Sequence, residues 1–303
     1  MITPPQVQES NQWETPDSLK PLLVLGMGRS GTTLLMQLLS TSSHIAFDRI
    51  YPFEVRYLTY LLRWGLLLGQ RWQPSSDWDS VANFNPPDGR IGPFPYVKAQ
   101  LWDGQELWLK CFGAAWREFS QVAVARTRAN GKAEVPLLYY AEKIPFWVPA
   151  YLRQVIPYNL ILLVRDPRDV FLSITAFDKK RGFSGFSRRA DDDDWTFAKR
   201  FVKLCRERFK TMREEQAAPS SILLKYERLA VDLAGEAQRL SQWLGIRLNA
   251  GLVENQVSNF AHHMTTNSPR ESVERWRREL PAALNKFFLK ELGGELRYFG
   301  YAS

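Results

Sequence analysis

Leu22 to Leu25 form an unbroken apolar run that ends at Gly26. A short run of this kind, ended by glycine, predicts a strand buried on both faces, as in a parallel sheet. The segment TTLLMQLLST that follows predicts a helix. Strand, Gly-rich turn and helix together open a βαβ unit. The same pattern returns at NLILLV, Asn159 to Val164, between the helical segments PAYLRQVIP and DVFLSITAF. A third strand is expected at SILLKY, Ser221 to Tyr226, with a helix around Val231 to Leu244. Helical periodicity with many basic residues spans Trp195 to Glu215. The Gly-rich, charged stretch KKRGFSGFSRRADDDD predicts a mobile loop or lid. ESVERWRRELPAALNKFFLKELGGELRYFGY predicts two amphipathic helices and a short tail. With no internal repeat, this alternation defines an α/β fold. The expected form is a P-loop-type, doubly wound parallel sheet flanked by helices. Residues 1–19 read as a flexible leader and 20–303 as one domain.

Composition narrows this picture. The chain has 303 residues, 45% of them hydrophobic and 24% charged, enough for one large α/β domain with its own core. Its formal net charge of +8 favours anionic partners. The basic residues Arg206, Arg208 and Lys210 have acidic neighbours along a helix, the pattern of a solvated face, so nucleic acid is not the expected partner. Cys111 and Cys205 have no partner near in sequence, which argues against a disulfide framework and for a reducing compartment. The first residues, MITPPQVQESNQWETPDS, lack the apolar core of a signal peptide. The most apolar long stretch, Tyr57 to Leu68, contains Arg63 and is too short to span a membrane. A cytoplasmic protein is expected.

The densest local chemistry is GMGRSGTTLL, Gly26 to Leu35. After a buried strand and before a helix, backbone N–H groups and the helix N-terminus make an anion cradle. Gly28 and Gly31 permit close approach. Ser30, Thr32 and Thr33 add hydroxyls, and Arg29 adds charge. Thr32 stands where a nucleoside triphosphatase loop carries lysine, which counts against a phosphotransferase. The second signal is LILLVRDPRDVFLSI. Arg165 leaves the carboxyl end of its strand, where open α/β sheets bind ligands, and Ser173 follows eight residues on. Guanidinium and hydroxyl together suit a phosphate. Asp166 reads as a helix cap and Arg168 as a surface ion pair.

Together the two motifs resemble the sulfotransferases that use 3′-phosphoadenosine 5′-phosphosulfate (PAPS). The likeness is to their bacterial and tyrosylprotein branch, which has Arg in the first loop. The resemblance runs from about Leu22 to Trp276. It implies PAPS as co-substrate and transfer of a sulfuryl group to an acceptor hydroxyl or amine. Arg29 would contact the bridging oxygen of the leaving phosphate. Ser30, Gly31, Thr32 and Thr33 would hold the 5′-phosphate, and Arg165 and Ser173 the 3′-phosphate. Lys143, in Glu142-Lys143-Ile144-Pro145, would stabilise the sulfuryl oxygens, although Ile144 stands where relatives commonly carry a polar residue. Tyr226 would lie near the nucleotide. In TTNSPRESVERW, Ser268 would approach the sulfuryl group and Arg275 the 3′-phosphate. Glu54 matches the branch's catalytic base. Asp48 is second choice, and His44, His262 and His263 read as structural. No carboxylate or His cluster has metal-ligand spacing, and no metal is expected. The acceptor is open among small molecules, carbohydrates, lipids and peptides, and a homodimer is compatible with the sequence. Tyr51, Phe53, Tyr57, Trp64 and Trp72 read either as core or as lining of an acceptor cleft. The rival readings are a phosphotransferase with a variant loop and a nucleotide-binding protein without turnover.

Overall fold

The structure is a computed structural model that describes residues 18–69, 104–129, 135–254 and 264–301. Residues 1–17 of the expected leader, Trp72, His262 and His263 lie outside the described residues.

Five parallel strands form one sheet in the order β2-β3-β1-β4-β5. They are β1 (Lys20–Gly26), β2 (Ile45–Ala46), β3 (Tyr139–Lys143), β4 (Asn159–Val164) and β5 (Ser221–Lys225). The inner strands β1 and β4 pair in register from Leu22↔Asn159 to Gly26↔Leu163. Their apolar runs are continuous because both faces are covered. Leu23 and Leu25 of β1 point into one core, and Leu22 and Val24 into the other. The first core is closed by α2 (Tyr57–Gly69), α3 (Gly104–Ala129), α4 (Val148–Leu152), α5 (Pro167–Arg181), α6 (Asp194–Gln216) and α11 (Ala282–Tyr298). The second is closed by α1 (Thr32–Leu39), α7 (Tyr226–Val231) and α8 (Leu233–Leu244), with α9 (Ala250–Glu254) at its end. A short helix, α10 (Trp276–Glu279), precedes α11.

This is the single α/β domain expected. Two strands were not expected. β2 is only two residues long, and β3 carries Glu142 and Lys143 inside a buried run, so neither shows the apolar signature. The stretch expected to be a lid continues α5 to Arg181 and then forms a tethered loop. There Arg188 bonds Thr175 at 2.8 Å and pairs with Asp194, and Arg200 clamps Asp192.

One expectation is corrected. Arg168 is not at the surface: it is fully buried. Its guanidinium bonds both oxygens of Asp166, at 3.0 and 2.7 Å, and stacks 3.5 Å over the Trp276 ring. Asp166 is also the expected cap of α5, accepting the Arg168 backbone N–H at 2.9 Å. Burial selects this pairing, because a guanidinium moved out of water needs a carboxylate beside it.

Candidate functional site

Every loop that carries chemistry leaves the carboxyl end of a strand. In a parallel sheet these ends lie on one side, and here the strand order diverges on either side of β1. The loop after β1 turns through Ser30 N–H to Met27 carbonyl, 3.1 Å. Arg29 and Gly31 have φ of 68° and 90°. Glycine is required at 31: any Cβ there would collide with the Tyr226 ring. A Cβ at Gly28 would similarly strike Phe186. No side chain caps α1 and its first turn has no acid, which leaves its N-terminal N–H groups for a ligand. Ser30 is buried, with its Oγ bonded to no protein group.

Two guanidinium groups meet above this turn. The Arg29 Nε–H donates to Ser173 Oγ at 3.3 Å, and its charge sits 4.1 Å from the Phe177 ring centre. Burial, and then the neighbouring Arg165 charge, push its pKa down to about 10. Arg165 is itself buried. It donates to the Arg29 and Ser272 carbonyls, each at 2.8 Å, and lies 4.2 Å over Tyr226. Its Nε is buried and has no protein acceptor. Carbonyls and a ring thus hold this cation, and the Asp169 and Glu227 carboxylates lie near enough to feel its charge.

A third cation arrives from β3. Lys143 Nζ is buried and donates to the Pro52 carbonyl (2.6 Å), Glu54 Oε1 (2.9 Å) and Thr33 Oγ1 (3.1 Å). Burial lowers its pKa against the opposing pull of Glu54. The other Glu54 oxygen pairs with Arg56. Burial raises the Glu54 pKa, but Lys143 and Arg56 outweigh it, and the carboxyl titrates below the usual range.

These groups line one cleft with a cavity volume of about 210 Å³, open to solvent. Arg29, Gly31, Thr32, Thr33, Glu54, Arg165, Ser173 and Tyr226 all face it, and Lys143 reaches it through Thr33 and Glu54. Besides Lys143, three expected residues are not among its lining: Ser30, buried beneath the turn, Ser268 and Arg275. Ser268 accepts the Glu271 N–H at 3.3 Å within a turn. Arg275 is locked to Glu279 and touches the cleft only through Thr265, 3.1 Å away. Asp48 bonds the Tyr57 hydroxyl at 2.6 Å, and His44 Nδ1 lies 2.8 Å from the Pro136 carbonyl. Of the aromatic candidates, Tyr51 lines the cleft, Phe53 is core, and Tyr57 and Trp64 face solvent.

Within TTNSPRESVERW the sequence pointed to Ser268 and Arg275, but the cleft is lined there by Thr265, Thr266, Pro269 and Ser272, and Met264 and Phe186 were not anticipated. These come from irregular segments without periodicity. The Tyr226 hydroxyl ties this strip to the nearer loops, 2.7 Å from Ser272 Oγ. Among the described residues, no group of three or more His, Cys, Asp or Glu is placed to hold a metal ion, and no helix is long and apolar enough to cross a membrane.

The anion cradle after β1 and the second cationic loop after β4 meet in one cleft at the carboxyl edge of an α/β sheet. The chain belongs to the sulfotransferase family: the family model described as "Sulfotransferase family" matches residues 21–250. Among solved structures, the sulfotransferase domain of the curacin biosynthetic pathway is similar, at 14% identity with a TM-score of 0.50, covering 94% of this chain and 98% of that one. The sulfotransferase domain of the Synechococcus PCC 7002 olefin synthase is 17% identical with a TM-score of 0.51, covering 97% and 100%. At these identities the likeness is one of fold. No curated protein sequence matches the chain.

Proposed function

We propose that this sulfotransferase takes its sulfuryl group from PAPS and passes it by in-line displacement to an acceptor hydroxyl or amine, with Glu54 as general base. One observation carries the reading: Arg165 Nη1 bonds the backbone of Arg29, so the two cationic loops share one cleft. Had they faced opposite sides of the sheet, one bisphosphorylated nucleoside could not have bridged them.

The residues fit such a ligand. The uncapped N-terminus of α1, the Gly31 turn and the hydroxyls of Thr32 and Thr33 would hold a 5′-phosphate. Arg165, with an unpartnered buried Nε, and Ser173 would hold a 3′-phosphate. PAPS supplies the activated sulfuryl group, bonded to its 5′-phosphate. Arg29 and Lys143 would offset the charge that grows on the leaving oxygen, where fixed cations in a shielded cleft are effective. Lys143 fills the electrostatic place that Thr32 leaves vacant in the loop, reaching it through Thr33. Glu54 opens onto the same cleft and, being ionised, can take the acceptor proton. Arg29 is the feature shared with the tyrosylprotein branch, and the acceptor falls within the wide class of hydroxyls and amines.

The test compares ligands by thermal shift. Adenosine 3′,5′-bisphosphate should raise the melting temperature, and ATP with Mg²⁺ should not. With radiolabelled PAPS, Arg29→Ala should abolish transfer, and Arg165→Ala should mainly weaken nucleotide binding. Stabilisation by ATP alone, or normal turnover by both variants, overturns the assignment.

A further inference from the structure

Glu142 precedes Lys143 on β3, and the alternation of a strand sends their side chains to opposite faces. The Glu142 carboxylate is 1% exposed, yet it faces four donors. Oε2 accepts the Leu58 N–H at 2.8 Å and the Tyr140 hydroxyl at 2.7 Å. Oε1 accepts the Thr59 N–H at 3.0 Å and the Thr59 hydroxyl at 2.5 Å. Leu58 and Thr59 belong to the first turn of α2, whose N–H groups have no partner within the helix. A carboxylate there also meets the positive end of the helix dipole. Burial raises the Glu142 pKa, and these donors pull it back.

The irregular segment between Phe53 and Arg56 carries Glu54 and runs straight into α2. Lys143 grips this segment in front, at the Pro52 carbonyl and at Glu54. Glu142 grips it behind, at the start of α2. Two adjacent residues of one strand therefore clamp both ends of the stretch that presents the base. Tyr140, from the same strand, adds a third hold by accepting the Tyr57 N–H at 3.3 Å. We infer that Glu142 is a positioning residue for Glu54, fixing through α2 how far the Glu54 carboxylate reaches into the cleft. The inference rests on the reading of Glu54 as the base.

The test follows Glu54 directly, by carbon-13 NMR titration of carboxyl-labelled glutamates assigned with Glu54→Gln. Glu142→Gln replaces one accepting oxygen with an N–H₂ group and so loses at least one hold on α2. In that variant the Glu54 titration should move upward by roughly half a unit to one unit as its pairing with Lys143 and Arg56 loosens. Affinity for adenosine 3′,5′-bisphosphate should stay unchanged, because Glu142 touches none of the residues assigned to the nucleotide. An unmoved Glu54 in folded protein overturns the inference. So does an equal loss of nucleotide affinity, which would mark Glu142 as a general support of the site. If Glu142→Gln does not fold, Thr59→Val removes one donor and is read by the same two measurements. The base reading is judged separately: transfer retained by Glu54→Gln defeats it, while a shifted Glu54 titration leaves the positioning intact.

Discussion

Both oxygens of Glu54 are held by cations, Lys143 from the buried side and Arg56 from the solvent side. A general base works only when ionised, so its pKa sets the acid limb of the rate profile. That limb should lie below the ordinary carboxylate range, because the two cations outweigh burial at Glu54. Arg56→Gln removes one cation while Lys143 stays. The Glu54 pKa then rises, and the acid limb of kcat moves to higher pH with nucleotide affinity unchanged. A pH–rate comparison of the two proteins checks this, and an identical acid limb would argue against Glu54 as base. At this scale the sequence was informative where chemistry restricts the choice of residue. Arg29, Arg165 and Ser173 could be singled out because an anion site needs cations and hydroxyls immediately after buried strands, whereas Glu54 was singled out on resemblance. Ser268 and Arg275 were assigned on resemblance, and local turn and helix contacts engage them instead. Glu142 went unread because its partners, Leu58 and Thr59, come from a helix more than eighty residues away.

Elements were legible to the degree that their packing is apolar. β1 and β4 lie between two cores and read as plain hydrophobic runs. β3 lies in the same sheet, but two of its five residues are charged, Glu142 tying down the start of α2 and Lys143 bonding Glu54 and Thr33 at the cleft. The start of α5 shows the reverse, a charge pair that is purely architectural. Arg168 is sealed between Asp166 and the Trp276 ring, with its Nη1 also 3.3 Å from Asn285 Oδ1. This ties α5 to α10 and α11. Asp166→Ala removes both the helix cap and a carboxylate bonded through both oxygens to a fully buried guanidinium. The loss should be about 3–5 kcal/mol, the range for orphaning one member of a buried ion pair. Urea denaturation measures it. A loss under about 1 kcal/mol would mean that Arg168 escapes to water or finds another partner.

For the molecule as a whole, the site is a concentration of like charge in a chain that already carries a net +8. Arg29 registers the strain: its pKa falls to about 10 through burial and the proximity of Arg165. The free protein therefore holds these cations together at an energetic cost, and a polyanionic ligand removes it. Binding only to the folded state adds stability by mass action, about 2.7 kcal/mol at a ligand concentration near 100 times Kd. Salt acts on the two states in opposite senses. Screening relieves repulsion among the clustered cations, so the melting temperature of the free protein should hold or rise with added sodium chloride. The same screening weakens attraction for the nucleotide, so the increment produced by adenosine 3′,5′-bisphosphate should shrink. Melting curves with and without ligand, over a salt series at fixed pH, separate the two trends. In Arg165→Ala the response of the free protein to salt should weaken, because the cation that weighs most on Arg29 is gone. A ligand increment that ignores salt would mean that the nucleotide is held by shape and hydrogen bonds, with the guanidinium pair contributing little to its capture.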